Sequence, residues 1–200
     1  MDPVERVSSR EVYRNAWMII REDDIRRPDG TLGIYGVVDK PTYALVIARD
    51  TADARSDQAD ADVGSDQTGD RYRLVEQFRY PIGLRRWEFP QGTAPGTLEG
   101  EQPPPAELAA DELREETGLR AESMVVLGQL DVAPGMSSQR GWVFLATGIT
   151  EGEHERELEE QDMHSEWFTG DRIDEMIVDG TITDAQTIAA WMLLRLADRR

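Results

Sequence analysis

Three successive prolines, Pro103 to Pro105, and Gly118 fence off the segment "PPPAELAADELREETG". Between such marks a chain forms one helix of about three turns. Pro104 or Pro105 serves as its first residue, Glu107 suits the first turn, and Gly118 is placed to end it. Ala106, Ala109, Ala110 and Leu113 supply a small apolar stripe toward a core. The opposite side is unusual, because Asp111, Glu112, Glu115 and Glu116 gather near the C-terminal end with only Arg114 among them. Carboxylates there oppose the helix dipole by roughly 0.3–1 kcal/mol each when exposed, and like charges at i,i+4 repel further. Something outside the helix must reward the arrangement. Glu112, Glu115 and Glu116 stand at i, i+3 and i+4, so three carboxylates are expected to converge.

Around this helix the chain reads as strands. "YRNAWMIIREDDIRR" from Tyr13 runs through the turn signal "PDG" into "TLGIYGVV", which predicts an antiparallel N-terminal sheet. "TYALVIARD" and "RYRLVEQFRY" read as two further strands, and "RRWEFPQG" as a short one. The polar, acidic stretch between the first two reads as a mobile hairpin loop. "SMVVLGQLDVA", "GWVFLATGI" and "SEWF" follow as strands. The chain closes with "TDAQTIAAWMLLRLADRR", a helix with Thr183 or Asp184 as N-cap and Ile188, Met192 and Leu196 at four-residue spacing. Many strands, a middle helix and a C-terminal helix together predict a mixed sheet flanked by helices.

Composition narrows the function. With 39% apolar residues the 200-residue chain can build a real core, and a formal charge of -18 argues against binding a nucleic-acid backbone, which needs Lys and Arg to neutralise phosphates. An anionic substrate would need a cation as intermediary. No cysteine is present, which removes disulfides and thiolate metal sites. No apolar run approaches roughly 20 residues, so neither a signal core nor a membrane span is expected and a cytoplasmic protein is the default. Clustered oxygen ligands, with only His154 and His164 as imidazoles, suit a hard cation such as Mg2+ or Mn2+ better than zinc. Both histidines read as solvent-exposed. An acidic run alone is more often a solvated face.

The segment Asp111-Glu112-Leu113-Arg114-Glu115-Glu116-Thr117-Gly118-Leu119 resembles the second half of the Nudix hydrolase box, G-x5-E-x7-R-E-U-x-E-E-x-G-U, with Asp111 in place of the arginine. Gly92 and Glu101 are the counterparts of the first half, with eight intervening residues instead of five and nine before Asp111 instead of seven; Glu99 competes with Glu101. "VEQFRYP", "WEFPQG", Pro134 sixteen residues after Gly118, and "DAQTIAAWMLL" are similar to the ADP-ribose pyrophosphatase branch of that family.

This resemblance implies an α/β (α+β) fold, a Nudix-type α/β/α sandwich with a mixed sheet preceded by a small N-terminal antiparallel β-sheet. It implies a subdomain at residues 1–40 serving dimerisation and substrate binding, and a hydrolase domain at 41–200 with an acidic insertion at about 51–69. It implies Mg2+, with Mn2+ as the alternative, on Glu112, Glu115, Glu116 and the Gln91 carbonyl. Glu159 and Glu160 best match the branch's general base, with Glu157 and Glu166 behind them. Arg79 and Glu88 would contact substrate, near the branch's proline at Pro134, and Trp17 and Tyr35 would sandwich adenine partly across a homodimer; both aromatics read equally well as core. The implied reaction is hydrolysis of ADP-ribose or a related nucleoside diphosphate sugar. A GDP-mannose-type specificity is one alternative, and a non-cleaving nucleotide-sugar binder, for which Asp111 argues, is another.

Overall fold

A computed structural model of the chain describes residues 3–52, 69–94, 102–153 and 162–199. Two sheets organise it. Strands β1 (Glu5–Arg14), β2 (Ile19–Arg26) and β3 (Leu32–Asp39) form an antiparallel sheet in the order β1-β2-β3. The second sheet has seven strands, with β10 (His164–Thr169), β5 (Arg71–Arg79), β4 (Tyr43–Asp50), β9 (Arg140–Thr150) and β8 (Arg120–Asp131) side by side. Strand β6 (Leu84–Glu88) pairs with β5 and β7 (Gln91–Thr93) with β4. The sheet is mixed, because β4 and β9 run parallel.

Strand β4 shows why the helices settle on both faces. Residues Tyr43 to Ala48 are all buried, and their side chains alternate in size. Tyr43, Leu45 and Ile47 enter a core with Phe89, Trp191 and Leu194; Ala44, Val46 and Ala48 enter another with Leu108, Ala109 and Leu113. Helix α1 (Pro105–Thr117) therefore lies on the small-residue face and comes close to β4 and β7. Helices α2 (Gly170–Val178) and α3 (Ala185–Ala197) supply Ile173, Met176, Ala190, Trp191 and Leu194 to the large-residue face. The result is the expected α/β/α sandwich. Among the described residues no helix is long and apolar enough to cross a membrane.

Several local expectations are corrected. Strand β1 begins at Glu5, well before the strand character expected from Tyr13, and α2 was not anticipated. On α1, Ala106 and Ala110 are exposed, and the buried side is Leu108, Ala109, Leu113, Glu116 and Thr117. On α3, Met192 and Leu196 face outward while Thr187, Ala190, Trp191 and Leu194 are buried. A stretch as rich in apolar residues as "AAWMLLRLA" offers more than one stripe, and the wide Trp191 ring, packed edge-on to Tyr72 at 4.8 Å, selects which faces the sheet. The helix ends behave as read: Gly118 takes a left-handed φ of 75° and Asp184 accepts a hydrogen bond from Thr187 N.

Candidate active site

Helix α1 is held over β7 by a missing side chain. A Cβ on Gly92 would overlap the Glu112 carboxylate, so only glycine lets that carboxylate lie against the strand. Glu116, one turn further on, is buried. Glu115 is half-buried, and Arg114 Nη2 donates to its Oε1 at 2.9 Å and to Asp111 Oδ1 at 3.2 Å. Among the described residues no three acidic or imidazole groups are gathered closely enough to hold a metal ion by themselves. Two carboxylates and a main-chain oxygen still fit magnesium, which keeps several waters and takes few protein ligands. The backbone of Gln91 stands in β7 opposite Leu45, beside Gly92.

Next to this lies a cavity of about 450 Å³, lined by Lys40, Tyr43, Arg79, Glu88, Gln91 and Asp184 among others. Arg79 grips Glu88 with both ends of its guanidinium, Nη2 at 2.7 Å from Oε1 and Nε donating to Oε2 at 3.3 Å. Glu88 is 1% exposed, and its burial, with the Asp184 charge nearby, outweighs Arg79 and pushes the carboxyl up to about 7. Gln91 Nε2 donates to Glu88 Oε2 at 3.4 Å and to Asp184 Oδ2 at 3.1 Å. Phe89 N donates to the buried Thr187 hydroxyl at 3.0 Å, which ties the chain between β6 and β7 to α3. Burial and the Arg79 charge lower the Lys40 ammonium, and burial pushes the Tyr43 phenol up to about 12, with Asp184 adding to it.

Apart from Glu166, the remaining candidates fall on or beside the N-terminal sheet or outside the described residues. Trp17 and Tyr35 are 48% and 43% exposed, which removes the core reading for both. Tyr35 Oη donates to the Gly135 carbonyl at 2.8 Å, next to Pro134, which is exposed on the loop between β8 and β9. That loop is stitched to β3 by Val38 N donating to Met136 O at 2.8 Å and Ser138 N donating to Val38 O at 3.1 Å. The base candidates Glu157, Glu159 and Glu160, together with Glu99, Glu101, His154 and nearly all of the acidic insertion, lie outside the described residues. Glu166 is exposed on β10 and does not line the cavity, and His164 is exposed as expected.

Sequence reasoning missed Tyr43, Gln139 and Lys40 as lining residues, and it had Asp184 only as a helix cap. Long-range pairing makes them neighbours: Tyr43 pairs with Gly141 across β4 and β9.

The family model for the nucleoside diphosphate sugar hydrolase N-terminal domain matches residues 4–38. An ADP-ribose pyrophosphatase of Mycobacterium tuberculosis is 34% identical over 92% of this chain and 80% of its own length. A methanol dehydrogenase activator of Bacillus methanolicus is 24% identical over 96% of this chain and 92% of its own. The crystal structure of an ADP compounds hydrolase superposes with a TM-score of 0.73 at 16% identity, covering 98% of this chain and 94% of that one.

Proposed function

Because the chain belongs to the ADP-ribose pyrophosphatase branch of the Nudix hydrolases, we propose that it cleaves the pyrophosphate of ADP-ribose or a related nucleoside diphosphate sugar. Water adds to one phosphorus and the bridging oxygen leaves with the other, giving a nucleoside monophosphate and a sugar phosphate. The observation that carries this reading is the Glu112 carboxylate lying against Gly92 at the edge of a cavity holding the Arg79–Glu88 pair.

Glu112, Glu116 and the Gln91 carbonyl would hold a divalent cation, Mg2+ or Mn2+, with Glu115 a further donor. Bound there, the cation would neutralise pyrophosphate charge and acidify a water. Arg79, fixed by Glu88, orients the diphosphate. Glu159 or Glu160 takes the proton from the attacking water.

The N-terminal sheet supports a homodimer. Every residue of β1 is exposed, and Val7, Val12, Tyr13, Trp17, Ile34 and Tyr35 are large apolar groups left open on β1, β3 and the connection from β1 to β2. A small sheet needs an apolar face covered to be stable, and a second copy supplies the cover. Trp17 and Tyr35 then take the adenine, at roughly 1–3 kcal/mol of stacking per base.

Incubation with ADP-ribose, GDP-mannose and similar sugars, followed by phosphatase and phosphate detection, tests the reading. Release from ADP-ribose in the presence of Mg2+ supports it. Release from GDP-mannose alone moves the specificity, and binding without release at saturating Mg2+ or Mn2+ makes the protein a sensor.

A further inference from the structure

Tyr43 opens β4 at 5% exposure, and its ring lies across Gly141 of β9, where any side chain would overlap it. The ring lines the same cavity as Arg79 and Glu88. Its hydroxyl is buried and has no hydrogen-bond partner among the described residues. Native interiors seldom leave such a group unmet, and where one faces a cavity a ligand is the natural partner.

The surroundings identify which part of a ligand fits. Asp184 acts on the phenol from the same cavity, with Glu88 and Gln91 beside it. Gln139, also buried, completes this side and donates from Nε2 to the Pro41 carbonyl at 3.0 Å. A phosphate placed against the Asp184 carboxylate would meet like charge. A neutral hydroxyl would not: it donates to a carboxylate oxygen and accepts from the phenol at once. Lys40 and Arg79, on the lining of the same cavity, supply positive charge for a diphosphate. Trp17 and Tyr35, proposed for the base, do not line it. The sugar beyond the diphosphate is the part that remains.

We propose that the Tyr43 hydroxyl donates a hydrogen bond to a hydroxyl of the distal sugar, and so sets which nucleoside diphosphate sugar is accepted. This rests on the nucleotide-sugar reading and adds the end at which the sugar is read. The phenol is then a group kept for the substrate at the expense of the empty protein.

Tyr43→Phe removes one oxygen and leaves the ring on Gly141. Thermal unfolding without substrate, KM and kcat for ADP-ribose, and calorimetric Kd for ADP-ribose and for ADP are compared with wild type. The expected result is a higher Tm, a KM and Kd for ADP-ribose raised about tenfold, kcat within about twofold, and an unchanged Kd for ADP, which lacks the distal sugar. A lowered Tm would show that the hydroxyl is a structural partner and overturn the proposal. Equal weakening of ADP and ADP-ribose would put the contact on the nucleotide half and overturn it too. An unchanged KM in an active enzyme rejects the Tyr43 role alone, whereas a wild type that neither binds nor cleaves ADP-ribose or GDP-mannose removes the nucleotide-sugar reading with it.

Discussion

The two sheets of this protein have opposite kinds of support. In the seven-stranded sheet, six consecutive residues of β4 are buried with helices on either side. In the three-stranded sheet, the ten residues of β1 are all exposed, and its contacts with β2 include Arg10–Glu22 at 2.7 Å, Arg26–Glu5 at 3.3 Å and Ser8 donating to Asp24 at 2.6 Å. Exposed ion pairs contribute roughly 0–1 kcal/mol, while a fully buried Leu or Ile contributes about 1.5–3 kcal/mol by burial alone. The large sheet stands by its own interior. The small one leaves much of its apolar surface open.

The sharpest way to test this contrast is to touch each region where its role differs. Glu116→Gln, on the helix packed against the large sheet, should reduce metal-dependent turnover by roughly 10²–10³-fold with the circular-dichroism spectrum unchanged, since a carboxylate is lost where phosphoryl charge develops. Undiminished turnover at low Mg2+ would remove Glu116 from the site.

Leu45→Ala and Val12→Ala compare the interiors directly. The first should lower unfolding free energy by about 2–5 kcal/mol at any protein concentration. The second should move it by less than about 0.5 kcal/mol in monomer, and more only where a dimer forms. Equal losses in dilute denaturant titrations would erase the distinction between the sheets.

Trp17→Ala should raise KM for ADP-ribose by roughly ten- to a hundredfold, corresponding to one stacked base, and leave kcat nearly unaltered. Light scattering should give a dimer for the wild type. A monomer, or an unchanged KM, would leave the exposed Trp17 without the partner-supplied role.

The smallest effect expected is that of Asp111→Arg. Arg114 now divides itself between Asp111 and Glu115. An arginine at 111 removes one competing carboxylate and one like charge on the helix surface, so the Mg2+ concentration for half-maximal rate should fall a fewfold. A rise in that concentration would mean that Asp111 itself assists the cation.

What could be read in advance follows the range of the forces involved. The bounds of α1 were legible because prolines and a glycine fix backbone angles locally, and Asp184 as an N-cap because its partner, Thr187, lies three residues away. Strand β1 was not, because its charged residues carry no alternating pattern; its pairing with β2 supplies the structure. The ion pair of Glu115 with the adjacent Arg114 was not legible, because a residue pair at i,i+1 carries no helical facing signal. Tyr43 was read as part of a strand and nothing more, since its cavity is made by Asp184 and Gln139, far along the chain. Periodicity reports which residues can be inside, and only the tertiary fold decides what they meet there.

The parallel pairing of β4 with β9 also governs when the site can come into being. Gln139 and Pro41, which flank that pairing, are 98 residues apart and yet share a hydrogen bond. Helix α1 and strands β5 to β8 all lie within that loop of chain. Closing it carries a large entropic penalty before any contact compensates, and pairings of this kind are slow. Hairpins such as β5 with β6 can form early and unaided. Catalytic competence should therefore return only with the slowest refolding phase, after most secondary structure is already in place, and a nascent chain halted before β9 would carry the glutamates of α1 without a site to put them in.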